Sequence, residues 1–306
     1  ITYAWTNVNT GSSLGTTDSI TLTTSTASPG DSIICLAVAT DIDGETDSAS
    51  TSVSVDNTDP VLSAVSISPA SGVTTNSTIA CSATATDADG GFPSVSYEWT
   101  NGSTTLGTSA SLTLTPSTSA PSDTIVCTAT ATDTAGGTDN GSDSVSVDNT
   151  EPVIASVTIS PATGVKVDST ISCVVVATDA DGGTPSVAYA WKNGGTTIGT
   201  GSSITLSLST VTKGDTVSCV ATVTDGDGGT DSGNDSILVE NSAPVVSAVT
   251  LSPDPGFEGS TLTCAASPAT DADGDTIQYS FEWSVAGVVS AGTDTLTGSD
   301  FEKGDT

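Results

Sequence analysis

The sequence predicts an all-β chain of small β-sandwiches in tandem, about 92 residues each and arranged end to end. Three observations predict it. The composition is rich in Thr, Ser, Gly, Ala, Val and Asp and poor in helix formers. The stretch Ser77–Gly91, STIACSATATDADGG, alternates. Ile79, Cys81, Ala83 and Ala85 can face one way while Ala80, Ser82, Thr84 and Thr86 face the other, which is the pattern of a half-buried strand. Asp87-Ala88-Asp89-Gly90-Gly91 then breaks that strand with an acidic turn. Finally, the same stretch recurs. Cys35, Cys81, Cys127, Cys173, Cys219 and Cys264 are separated by 46, 46, 46, 46 and 45 residues. Tryptophans occur only at Trp5, Trp99, Trp191 and Trp283, so the repeating unit holds Cys, Trp, Cys in that order.

In the first five copies an aspartate follows the cysteine by six positions: Asp41, Asp87, Asp133, Asp179 and Asp225. In the sixth, Asp271 follows by seven, with Pro268 in the gap, and a bulge is expected there. Aromatics make up 4% of the chain, so each core is thin and a covalent staple is expected. Six evenly spaced cysteines can supply it in an oxidising compartment.

The chain has 306 residues and carries 36 acidic groups against four basic ones, a formal charge of −32. Such a chain is repelled by nucleic acid and by anionic membrane surfaces. It has no histidine, and all four basic residues are lysines, so the commonest general base and the best phosphate clamp are both missing. No apolar run approaches the 18 residues of a membrane span, so no membrane insertion is expected. The chain begins at Ile1 and stops at Thr306 in mid-repeat, and is expected to be a window on a longer secreted array.

Residues 1–57 read as the back part of a first domain, with strands at Tyr3–Trp5, Ser19–Thr23, Ser32–Thr40 and Ser50–Asp56. A second domain spans 58–149. Its strands are expected at Val61–Ser68, Thr78–Thr86, Ser94–Thr100, Thr104–Leu106, Ser111–Thr115, Asp123–Thr132 and Ser142–Asp148. Asn101-Gly102 signals a hairpin. A third domain, 150–241, repeats this pattern, and a fourth, 242–306, stops where Lys303-Gly304-Asp305-Thr306 echoes Lys213-Gly214-Asp215-Thr216. The linkers Asp56–Pro60, Asp148–Pro152 and Glu240–Pro244 are short and each ends in proline.

Seven short strands with a Cys, then a Trp, then a Cys resemble the immunoglobulin-like sandwich. The resemblance implies disulfides Cys81–Cys127 and Cys173–Cys219 across the two sheets, with the Trp packed on each. The position two before Cys127, where that family's tyrosine corner carries Tyr, is Ile125. Zinc thiolate sites show close Cys pairs, and none exists here. The chain also resembles the polycystic-kidney-disease type of surface domain. An aspartate turn is followed by Tyr97-Glu98-Trp99, Pro29-Gly30-Asp31 precedes a long strand, and the equivalent strand one domain on ends in Thr132-Asp133. The Asp-Asn linkers with a following proline look like cadherin linkers.

In this topology the two acidic turns of each sandwich and the linker entering it converge at one end. The first group is Asp56, Asn57, Asp59, Asp87, Asp89, Asp133 and Asp139. The second is Asp148, Asn149, Glu151, Asp179, Asp181, Asp225, Asp227 and Asp231. The third is Glu240, Asn241, Asp271, Asp273 and Asp275. Hard oxygen ligands in such groups suit Ca²⁺. The alternative is turn chemistry, since Asp and Gly are favoured in any β-turn; no turn matches the EF-hand pattern. Paired carboxylates also serve glycosidases, but here they recur on solvated turns without a cleft, so no enzyme is expected. Glycosylation sequons stand at Asn76, Asn101, Asn140 and Asn234.

The expected role is structural: a repeat segment of a secreted, cell-surface filament, stalk or adhesin extender, stiffened by calcium between domains. Its partners would be other copies of itself or neighbouring domains of the array. The alternative is an adhesion or carbohydrate-binding accessory region.

Overall fold

A computed structural model describes residues 1–297, and every regular element within them is a β-strand. No helix among these residues is long and apolar enough to cross a membrane. The expected turn at Lys303–Thr306 lies outside the described residues. The chain divides into two compact units, Ile1–Thr150 with Ala180–Gly182, and Glu151–Asp179 with Gly183–Thr306.

The first unit opens with β1 (Thr2–Asn7), β2 (Ser12–Gly15), β3 (Ser32–Thr40) and β4 (Thr46–Ser54), which form one antiparallel sheet in the order β2-β1-β3-β4. Ser19–Thr23 is not a strand, contrary to expectation. Its counterparts in the two sandwiches described below each pair with a cysteine-bearing strand of their own sheet. No such strand stands beside Ser19–Thr23.

Nine strands follow: β5 (Val61–Leu62), β6 (Ser66–Ser68), β7 (Thr78–Ser82), β8 (Ala85–Thr86), β9 (Ser94–Asn101), β10 (Thr104–Gly107), β11 (Ser111–Thr113), β12 (Thr124–Thr132) and β13 (Thr138–Ser146). Sheet β10-β9-β12-β13 faces sheet β11-β7-β6, and β5 pairs with β8. Alternation drives the packing. Along β12, Ile125, Cys127, Ala129 and Ala131 point inward and are buried, while the residues between them are half-exposed. Trp99 is wholly buried in the core with Ile67, Ile79, Leu114 and Val145. Its indole N–H donates to the Ser109 carbonyl (2.9 Å), so the one polar atom of the ring is satisfied. The Cys81–Cys127 disulfide joins the two sheets. Gly102, at φ +56, opens the two-residue loop between β9 and β10, the position where a type II′ hairpin takes glycine.

The second unit repeats the plan. Its strands are β14 (Val153–Ser160), β15 (Thr170–Thr178), β16 (Ser186–Asn193), β17 (Thr196–Thr200), β18 (Ser203–Thr205), β19 (Thr216–Thr224) and β20 (Thr230–Leu238). Sheets β17-β16-β19-β20 and β14-β15-β18 enclose Trp191 and the Cys173–Cys219 disulfide. Then come β21 (Val249–Ser252), β22 (Leu262–Ala266), β23 (Trp283–Val285), β24 (Val288–Ala291) and β25 (Thr295–Leu296), forming sheet β21-β22-β25 and the hairpin β23-β24.

Several boundaries differ from expectation. Val61–Ser68 and Thr78–Thr86 are each split in two, while β4 and β13 begin earlier than expected, at Thr46 and Thr138. The expected bulge beside Pro268 is absent. Strand β22 stops at Ala266 and its ladder with β21 carries no register shift. The chain pairs again only at Thr270, in an isolated bridge with Val245, so the extra residue is spent outside the ladder.

Candidate functional site

The acidic turns close on themselves first. Asp87 Oδ1 accepts the Asp89 N–H (2.7 Å), and Asp271 Oδ1 accepts the Asp273 N–H (2.8 Å). Asp133 Oδ1 accepts three N–H groups, from Ala135, Gly136 and Gly137, and Asp225 Oδ1 accepts those of Asp227 and Gly229. These are Asx-type turns, which is why aspartate and glycine are needed there whatever else binds.

The second aspartate of each turn then grips the linker. The Thr58 N–H donates to Asp89 Oδ2, Thr150 N–H to Asp181 Oδ2 and Ser242 N–H to Asp273 Oδ2, each at 2.5 Å and each across 31 residues. A charged acceptor strengthens such a bond. Asp181 Oδ1 also accepts the Thr75 hydroxyl (2.7 Å). Sequence reasoning missed this clamp, although the signal was present: Thr or Ser follows Asn in all three linkers, with an aspartate 31 residues later.

Around Gly137 three expected residues meet. A Cβ placed on this glycine would lie 2.5 Å from Asp133 Oδ2, 2.5 Å from Asp59 Oδ1 and 2.7 Å from Asn57 Nδ2. The two carboxylate oxygens are therefore no further apart than twice that distance. Asn57 Nδ2 donates to Asp133 Oδ2 (2.9 Å), and this bond leads the causes that hold the Asp133 carboxyl below the usual aspartate value. Asp56 is exposed in the linker.

In the second unit Asp271, Asp273 and Asp275 each offer a carboxylate oxygen, all within 4.8 Å of one another. Lys213 forms an ion pair with Asp275 there, which raises the lysine above its ordinary value. Glu240 turns back to its own sandwich, where Oε1 accepts the Gly164 N–H (2.9 Å). Asn241 donates to the Ser242 carbonyl (2.8 Å). Of the second group, Asp148, Asn149 and Asp181 belong to the first unit, and Glu151, Asp179, Asp225, Asp227 and Asp231 to the second.

Asp139 and Asp231 are not loop residues; they lie in β13 and β20. Asp139 Oδ2 accepts the Leu62 N–H and Asp231 Oδ2 the Ile154 N–H, both at 2.8 Å. Four residues on, Asp143 and Asp235 take the N–H groups of Ile67 (2.9 Å) and Ile159 (2.8 Å). Each pair spans from the edge of one sheet to the first strand of the other and satisfies donors that the ladder leaves unpaired. Among the sequons, Asn101 is engaged with Asp123 (2.6 Å) and Asn76 with the Ala180 carbonyl (3.1 Å), whereas Asn140 and Asn234 are exposed on β13 and β20.

No protein-family model and no curated protein matches the sequence. Solved structures similar to this chain include the Ca²⁺-stabilised adhesin that helps an Antarctic bacterium reach out and bind ice. That match has 17% identity and a TM-score of 0.33, covering 98% of this chain and 82% of that one. A tetra-tandem repeat in the extending region of a large adhesion protein matches at 17% identity and TM-score 0.33, covering 98% and 80%. Cadherin domains 3–6 of protocadherin gamma B2 match at 13% identity and TM-score 0.29, covering 87% and 76%.

Proposed function

We propose that this chain is a structural repeat segment of an extracellular stalk, filament or adhesin extender, with Ca²⁺ held where its linkers meet the acidic turns. The observation that carries this reading is the linker clamp, repeated three times at the same 31-residue offset. A linker whose backbone is hydrogen-bonded to the sandwich it enters has lost most of its freedom, which is what a stiff spacer needs. The sandwich disulfides support an oxidising, extracellular setting.

The donor sets fit calcium. Asp59 and Asp133, and Asp271, Asp273 and Asp275, are hard oxygen groups that converge with net negative charge, while Asn57 turns its N–H group to Asp133. Asp87, another carboxylate of the first group, lies on the turn that holds Thr58. Calcium there would offset carboxylate repulsion and add to the hydrogen bonds that already order the linker.

Calorimetry and small-angle scattering of the chain, with Ca²⁺ and with chelator, test this. Calcium heat together with a shorter maximum dimension on chelation is expected. Asp59→Asn with Asp133→Asn should remove part of the heat and leave both disulfides formed. No heat and an unchanged dimension would reject calcium stiffening.

A further inference from the structure

Four asparagines stand in Asn-X-Ser/Thr sequons, and the structure divides them into two kinds. Asn101 belongs to the framework. Its Nδ2 donates to the Thr118 carbonyl (3.2 Å) and to Asp123 Oδ2 (2.6 Å), so both of its N–H groups are engaged. The asparagines at the same place in the neighbouring repeats make the same two bonds, Asn7 to Thr26 and Asp31, and Asn193 to Thr210 and Asp215. Neither of these stands in a sequon, since Val8-Asn9 follows Asn7 and Gly194-Gly195 follows Asn193. The fold therefore requires Asn101 whether or not Ser103 completes the pattern. Asn76 is held too. Its amide donates to the Ala180 carbonyl (3.1 Å), beside the bond between Thr75 and Asp181.

Asn140 and Asn234 have no such duty. Both are exposed, on β13 and β20, each the last strand of its sheet. Asparagine is not required at either place. Asn140 pairs with Thr130, and the matching residues are Ser48 opposite Val38 and Ser232 opposite Thr222. Asn234 pairs with Val220, and its counterparts are Ser50 opposite Leu36 and Ser142 opposite Thr128. Between the two sandwiches the asparagine has moved by two residues. Two is the period of a strand, so its side chain keeps the outward face. The sequon serines, Ser142 and Ser236, are two residues further on, so each shares the face of its asparagine, and both are exposed. The middle residues are Gly141 and Asp235, so proline blocks neither sequon.

We propose that Asn140 and Asn234 are N-glycosylation sites, and that Asn76 and Asn101 are not. The donor is an oligosaccharide carried on a lipid pyrophosphate. The asparagine Nδ2 bonds to the anomeric carbon of the first sugar, and the bond from that carbon to the pyrophosphate oxygen breaks. The nitrogen gives up one proton, the lipid pyrophosphate leaves with the bonding pair, and nothing is oxidised or reduced. On Asn101 the same step would remove one of two N–H groups that the framework uses. On Asn76 the sugar would stand against the Ala180–Gly182 turn, whose Asp181 also holds Thr150. On β13 and β20 it meets no such obstacle and serves the strand. An edge strand presents unpaired backbone groups, and the outward side chains of β13, Thr138, Asn140, Ser142, Ser144 and Ser146, carry no charge to deter pairing. A bulky, solvated glycan supplies that protection.

The proposal rests on the extracellular reading, and the test separates the two. The full chain, recovered from the cells that secrete it, is mapped peptide by peptide by mass spectrometry, sugars and disulfides together. Sugar on Asn140 and Asn234, with Asn76 and Asn101 unmodified, is the expected result. Asn140→Gln and Asn234→Gln should each lower the intact mass by one glycan, and the two together should remove all of it. Ser142→Ala should leave Asn140 bare, while Ser142→Thr should keep its sugar, because the acceptor is read through the hydroxyl. All these positions are exposed, so folding of the sandwiches is not at stake. Bare Asn140 and Asn234 on a chain whose Cys81–Cys127 and Cys173–Cys219 bonds are formed would overturn the proposal and leave the extracellular reading standing. Bare asparagines together with reduced thiols at those cysteines would overturn both. Sugar on Asn76 or Asn101 would also overturn the proposal, as would sugar that persists on serine or threonine in the Asn140→Gln/Asn234→Gln variant.

Discussion

The two complete sandwiches share a framework and differ along one edge. In the first, the opening strand is broken into β5 and β6 and its partner into β7 and β8. In the second, β14 and β15 run unbroken, with one register shift between Ile154 and Ser156. The framework residues match one for one: Cys81–Cys127 with Cys173–Cys219, Trp99 with Trp191, and Asn101–Asp123 with Asn193–Asp215. The cause of the difference is local. At the break, Ser63 Oγ accepts the Thr84 N–H (2.8 Å) and Tyr97 Oη accepts the Ala83 N–H (3.3 Å). The second sandwich has Ala155 in place of Ser63, and Val174-Val175-Val176 in place of Ser82-Ala83-Thr84. Side-chain oxygens that compete for backbone donors interrupt a ladder, and β-branched residues keep it. The fold is thus set by its central strands and staples, and the edge is free to vary.

Removing the shared framework should have the largest effect. Cys81→Ala and Cys173→Ala should each destabilise their own sandwich by roughly 2–5 kcal/mol. Hydrogen exchange read peptide by peptide should show the loss confined to the sandwich that carries the substitution. A loss spread equally over both sandwiches would mean that they fold as one cooperative body.

The same comparison shows what the sequence could carry. Cysteine spacing, the Trp positions and the alternation through Ile79 and Cys81 made the repeat and its strands legible, because burial imposes a period that a sequence displays, and the resemblance to immunoglobulin-like sandwiches supplied both disulfide pairings. The acidic turns were legible as turns. The roles of individual carboxylates were not. Asp139 and Asp143 lie four residues apart on one strand, so both face the first strand of the opposing sheet and act as backbone acceptors. Nothing in their residue type separates them from Asp133, which meets Asp59 at Gly137. The broken edge was illegible for a related reason. Whether Ser63 and Thr84 stay in a ladder depends on a hydroxyl reaching across to another strand, 21 residues away.

A smaller effect follows from one turn. Ser122 has φ +69, and the matching positions are Gly30 at +85 and Gly214 at +87. All three N–H groups make the same bond, to Val147, Val55 and Val239 carbonyls at 2.8 Å, so the backbone conformation is imposed by the turn. A serine held there costs about 1 kcal/mol or somewhat more relative to glycine. Ser122→Gly should therefore stabilise the first sandwich, and Gly214→Ser should destabilise the second by a similar amount in denaturant titration. If both substitutions were neutral, the serine side chain would have to be recovering the strain elsewhere.

The pH dependence sharpens the match between Asn193 and its aspartate. Asp215 is held below the ordinary aspartate value first by the Thr212 N–H and then by the Asn193 amide (2.7 Å). Its folded value is depressed, so its contribution is fully present above the unfolded value and is lost as pH falls through the folded one. Asn193→Ala should move the Asp215 titration upward, toward the ordinary value, without reaching it, because the Thr212 bond remains. Carboxylate chemical shifts followed against pH read this directly, and an unmoved titration would show that the amide contributes nothing.

The smallest expected effect tests the edge itself. If the break in the first sandwich is caused by the hydroxyls, then Ser63→Ala, Ala83→Val and Thr84→Val together should convert it to the continuous form of the second. The gain is expected to be a few tenths of a kcal/mol, because the side chain at 84 stays half-exposed, as its counterpart Val176 does at 51%, and only that at 83 packs partly against the core, as Val175 does. Stability alone would barely resolve that, so the readout is amide exchange. The Ala83 and Thr84 N–H groups, now bonded to single side-chain oxygens, should become protected to the level of residues 79–81 once they join the ladder. Tyr97→Phe in the unaltered chain should instead speed exchange at Ala83 alone. If the triple variant leaves the Ala83 and Thr84 amides as they are, the break is imposed from outside the strand pair. The place to look would then be the β13 contacts through Asp139 and Asp143, which hold Leu62 and Ile67 on either side of the interruption.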